Sequence, residues 1–156
     1  MEITMKNEIL IVNFKGKKDM MNTVLDPISN AYEGPINSAR EGHNFPASSI
    51  PPSHPLAVYK ARCRYVIGIY STRSLAHELM HAKFYLEPAY REKVREEWCS
   101  FSLKTQNQIT EFLKRLEYPE AVHLDEFQAY RATEPENFFG FRLEESKEQS
   151  QKYSRR

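Results

Sequence analysis

"STRSLAHELMHAKFYLEP", residues 71–88, places His77 and His81 four positions apart with Glu78 between them. Leu75, Leu79, Ala82 and Leu86 recur at i, i+4, i+7 and i+11, the spacing of one apolar stripe on a helix. Ser71, Thr72 or Ser74 supplies an N-terminal cap, and Pro88 disfavours helical continuation from Glu87. The stretch therefore reads as an amphipathic helix with a core-facing side and a functional one. Four residues advance about 400°, so the two imidazoles stand about 40° apart, one turn up the same face.

Two imidazoles so placed can converge on one divalent ion, and zinc accepts neutral nitrogen ligands in tetrahedral geometry. Glu78, about 100° from His77, flanks that ion without binding it. There it can take a proton from water acidified by the cation and pass it to a leaving amine. H-E-x-x-H compresses a hydrolytic apparatus into five positions. A shuffled chain of this composition would show the pattern by chance with a probability of roughly 2%. Its setting in a well-patterned helix, with apolar Leu79 and Met80 inside the motif, favours a metal site over two solvated histidines.

A catalytic zinc takes a third protein ligand and leaves a fourth position open. Glu87 is spaced for one extended form of the motif, but that form turns the chain at a glycine where Phe84 stands. The better source is "AVHLDEFQAYRA", residues 121–132, inside the predicted helix "PEAVHLDEFQAYRATE". On it Glu126 shares a face with His123 and Tyr130. Glu126 is the favoured ligand and His123 the alternative.

"HELMH" with Glu126-Phe127-Gln128-Ala129 downstream resembles the gluzincin clan of zinc metallopeptidases, in which a second helix supplies the third ligand from an E-x-x-A motif. The resemblance covers two short helices. It implies an α+β, zincin-like fold: a short mixed or antiparallel sheet packed against the H-E-x-x-H helix and a second ligand-bearing helix. It implies His77, His81 and Glu126 as ligands of one zinc ion per chain and Glu78 as catalytic acid–base. Many gluzincins carry Asp or Asn four residues after the third ligand, where this chain has Tyr130. Tyr130 could accept an imidazole N–H in that residue's place or instead donate to the oxyanion, and His123 is the other candidate catalytic residue for transition-state stabilisation. Peptide deformylases share the helix motif but use a cysteine in a glycine-rich motif, and "KARCRYV" around Cys63 does not match it.

The rest of the chain fits around this centre. A length of 156 residues predicts one domain, here residues 1–143. "LEESKEQSQKYSRR" closes the chain with almost no apolar content, so residues 144–156 are expected to be a disordered tail. "EILIVNF" (8–14) reads as a buried strand, and "KKDMMNTVLDPISNAYE" as helical with Pro27 as an interruption. Residues 33–55, ending in "FPASSIPPSHP", read as a surface loop or lid, with His43 and His54 on the surface. "LAVYKARCRYVIGIY" (56–70) looks like one or two strands, and "RCRYVIGIY" is placed to receive a substrate peptide along an open edge. "AYREKVREEWCSF" and "NQITEFLKRLEY" are two further helices.

A formal net charge of +1 provides no field for nucleic acid, and no apolar run reaches the length of a membrane span. The N-terminus lacks the pattern of a secretory signal, and Cys63 and Cys99 are too few for a disulfide framework. An intracellular metallopeptidase acting on peptide or protein substrates is the expectation. A catalytically silent, metal-stabilised regulatory or interaction module is the first rival, and a metal-free interaction protein another.

Overall fold

A computed structural model describes residues 1–20, 23–34 and 41–143. The fold is α+β, with a four-stranded mixed sheet and six α-helices among these residues. The chain falls into two compact units, Met1–Glu87 and Pro88–Arg156.

In the first unit β1 (Glu2–Lys6) and β2 (Ile9–Asn13) form an antiparallel hairpin. Its two-residue turn, Asn7-Glu8, has both residues at positive φ, as a hairpin that follows strand twist requires. Two short helices follow, α1 (Lys17–Met20) and α2 (Asp26–Glu33). Pro27, expected to interrupt a helix, instead stands in the first turn of α2, where its missing N–H costs nothing. β3 (His43–Pro46) leads through two 3-10 turns, Ala47–Ser49 and Pro55–Tyr59, to β4 (Tyr65–Ile69). The strand order is β1-β2-β4-β3, with β4 parallel to β2 and antiparallel to β3.

Every residue of β4 is buried and so is the centre of β2, because helices cover both faces of the sheet. Alternation along the strands sends Leu10, Val12, Val66 and Phe45 into one core with Met20, Leu25 and Ile28. Ile11, Tyr65, Ile67 and Ile69 form a second core with Ala82, against which Leu75, Leu79 and Leu86 pack. Those four residues are the stripe read from the sequence, carried by α3 (Thr72–Leu86).

Three expectations are corrected here. β4 cannot receive a substrate strand, because β2 and β3 occupy both its edges. The expected loop contains the edge strand β3, all four residues of which are buried. The segment Pro55–Tyr59 is a 3-10 turn, with Pro55 in its first turn and the His54 ring accepting from Leu56 N–H.

The second unit is helical: α4 (Pro88–Ser100), α5 (Leu103–Arg115) and α6 (His123–Thr133). Ser102 caps α5 by accepting from Thr105 N–H, and Glu117 at φ 71° lies just past its end. Pro119 precedes a 3-10 turn at Glu120–Val122 that runs into α6, which stops two residues before Pro135. Aromatic rings share the core of this unit with the fully buried Ile109 and Leu113. Phe127 lies 5.3 Å from Trp98, 5.8 Å from Phe101 and 5.8 Å from Phe139, centroid to centroid. Arg131 Nε lies 3.2 Å from Glu97 Oε1, and Tyr90 donates to Gln128, so two polar links also join α4 to α6. The expected tail, 144–156, lies outside the described residues.

Candidate metal centre

The helix α3 starts at an extended Ser71, with Ser74 Oγ donating to the Ser71 carbonyl. Its apolar stripe sits on Ile11, Tyr65, Ile67 and Ile69, which fixes the rotation of the helix and so the direction of His77, Glu78 and His81. His81 is 1% exposed and Glu78 5%, while His77 is only partly covered. The two Nε2 atoms lie 3.2 Å apart, with ring planes at 76°.

That separation tests the site for a cation. A tetrahedral ion holding nitrogens at about 2.0–2.1 Å keeps them about 3.3–3.4 Å apart. The imidazole pair of α3 already spans nearly that edge. The same distance also suits one N–H···N hydrogen bond, with a proton between the two nitrogens.

Glu126, Phe127, Gln128 and Ala129 are all buried on α6, and Ala129 is fully so. Glu126 stands in the first turn of its helix, where a carboxylate is favoured by the aligned peptide dipoles. One ligand atom from each of His77, His81 and Glu126 lies within 4.8 Å of the other two. Two histidines and a glutamate so grouped could bind a metal ion. No protein-family model, curated protein or solved structure matches this chain. The donor set itself is chemically apt for a divalent ion of borderline softness, since both imidazoles bind when neutral and the carboxylate supplies charge.

His123 and Tyr130, the other two residues singled out on α6, are outside that group of three. His123 is buried, and its Nε2 lies 2.8 Å from the Tyr118 carbonyl. A carbonyl only accepts, so Nε2 carries the proton. The other ring nitrogen, Nδ1, is buried and has no hydrogen-bond partner among the described residues. Tyr130 shares a 2.9 Å hydrogen bond with the Tyr118 hydroxyl and stacks on Phe138 at 4.6 Å.

His43 is not a surface residue: it is fully buried, and His54 alone keeps partial exposure. Its Nδ1 lies 2.6 Å from Ser29 Oγ and its Nε2 3.3 Å from Asp26 Oδ1. The Ser29–His43 bond joins α2 to β3 in the interior, and Asp26, partly exposed, approaches the other nitrogen of the ring. Beside it Asn44 donates to Glu33 and accepts from the Tyr65 hydroxyl. Cys63 is buried and Cys99 exposed, both as free thiols, and burial pushes the Cys63 thiol up. Among the described residues no helix is long and apolar enough to cross a membrane.

Sequence reading missed one residue at the centre. Gly42 lies directly against Glu78: a Cβ on it would stand 2.5 Å from Glu78 Oε1. A glycine beside a histidine in a polar stretch carries no signal of this, because its neighbour is far away in the chain.

Proposed function

We propose that the chain is a zinc-dependent metallopeptidase of the gluzincin type, acting on peptide or protein substrates. The observation that supports this best is the grouping of a buried glutamate from α6 with the histidine pair of α3. In this reading His77, His81 and Glu126 hold one zinc ion per chain. When bound, zinc would polarise a scissile carbonyl and acidify a water molecule. Glu78 would serve as the group that takes up a proton and returns it to a departing amine, the role its sequence position beside His77 allows. Tyr130 and His123 are the two candidate donors to the transition state, and each already has a bond to Tyr118, Tyr130 through its hydroxyl and His123 through Nε2. Two free thiols suit a reducing, intracellular setting.

The deep burial of Glu78, His81 and Glu126 favours a second reading, in which the ion stabilises a catalytically silent module. One experiment separates the two. Elemental analysis of the purified chain should find close to one zinc, and a quenched-fluorescence peptide pool should be cleaved. Glu78→Gln should keep the zinc and lose at least about 10²-fold in turnover. Zinc without cleavage in the wild type selects the silent module. Absence of zinc after refolding with the metal removes both readings.

A further inference from the structure

We infer that Gly42 is a positioning residue for Glu78, its bare α-carbon forming the wall against which the carboxylate rests. The inference deepens the reading of Glu78 as acid–base and rests on it. The three atoms nearest a Cβ built on Gly42 all belong to Glu78: Oε1 at 2.5 Å, Cδ at 3.0 Å and Cγ at 3.1 Å. Among the described residues no other competes for that space as closely.

Backbone conformation does not call for a glycine here. Positive φ occurs at Gly34 and Gly140 and not at Gly42, so alanine could adopt the same main-chain shape. Space alone accounts for the residue. Glu78 is 5% exposed, so any movement of its carboxylate takes place inside the fold. An added methyl must therefore move the carboxylate, because contacts below 3.0 Å are not tolerated.

The wall is itself held on both sides. Glu41, the residue before Gly42, accepts from Lys17 Nζ at 2.9 Å and from the Tyr70 hydroxyl at 2.6 Å. Tyr70 stands two residues ahead of the helix that carries Glu78. The Glu41–Tyr70 bond thus ties the approach to β3 to the start of α3. Gly42 and Glu78 are fixed relative to one another by a contact outside the centre.

The test is a cycle of Gly42→Ala and Glu78→Ala, read by thermal midpoint, with turnover and zinc content measured on Gly42→Ala. We expect Gly42→Ala to keep one zinc and lower kcat on the quenched peptide pool by about 10–100-fold, with KM held within about 2-fold, as a carboxylate displaced by a fraction of an ångström would do. Gly42→Ala should lower the midpoint in the wild-type background and have no effect once Glu78 is alanine. If Gly42→Ala alone fails to fold and the double variant folds, the coupling is present in its strongest form. Equal losses of midpoint in both backgrounds, or failure of both variants to fold, would overturn the inference whatever the activity. Unchanged kcat in Gly42→Ala would overturn it as well. If the wild type proves inactive while the midpoints remain coupled, the peptidase reading fails and the contact stands.

Discussion

The two units hold their candidate ligands by different physics. In Met1–Glu87 the histidine-bearing helix lies on a sheet face of three isoleucines and Tyr65, and buried polar bonds attach α2 to the edge strand. In Pro88–Arg156 the glutamate-bearing helix is wedged among aromatic rings. Aliphatic packing tolerates a lost methylene at modest cost, and aromatic packing concentrates area in a few large side chains. Buried polar bonds add little net energy when made but cost their full desolvation when broken. The first unit should therefore fail through lost hydrogen bonds, and the second through one lost ring.

Substituting Phe127, at the middle of the ring cluster and next to Glu126, should give the largest effect. Phe127→Ala is expected to cost about 3–5 kcal/mol in urea unfolding followed by the fluorescence of Trp98, the chain's single tryptophan. A cost below about 1 kcal/mol would show that the rings do not carry this unit. His43→Ala should come next, at about 1–3 kcal/mol, because it leaves the Ser29 hydroxyl buried without its imidazole. Circular dichroism of the unfolding transition reads this, and a neutral result would mean that the polar pins are ornamental. The smallest effect belongs to the exposed contact of Glu41. The Tyr70 hydroxyl, and after it Lys17, hold the Glu41 carboxyl below the usual carboxylate range. A depressed acid contributes stability above its unfolded value and loses it as pH falls through its folded one. Glu41 also raises Lys17 and Tyr70, whose contribution fades only as pH rises through their folded values. Wild type should therefore lose thermal midpoint between about pH 5 and pH 3 more steeply than Glu41→Gln. Parallel curves would remove Glu41 from the account.

The same contrast explains what the sequence made legible. The face of α3 could be read because periodicity encodes it, and its four stripe residues meet the sheet as expected. Helix spacing on α6 placed Glu126 on one face with His123 and left both open as the third ligand. The need for such a ligand and the E-x-x-A resemblance favoured Glu126, which the structure groups with His77 and His81. β1 escaped because it is largely exposed, and its hairpin turn uses Asn7-Glu8 where a glycine would have announced the turn. β3 escaped because His43 and Asn44 look like loop residues until their partners Ser29, Asp26, Glu33 and Tyr65 are known. All four partners are distant in the chain, and pairwise satisfaction at long range leaves no local pattern.

β2 and β4 are apolar on both sides, so polarity cannot tell the chain which way up they lie. Size does it instead. Gly68 faces α2 so closely that a methyl would stand 2.7 Å from Leu25, while Tyr65, one step out of phase, fills the side toward α3. A single inserted residue in either strand would keep every position greasy and still ruin the fold, by presenting bulk where a hole is needed. Parity in this sheet is written in volume, and deletion scanning through residues 9–13 and 65–69 would find it less forgiving than its hydropathy implies.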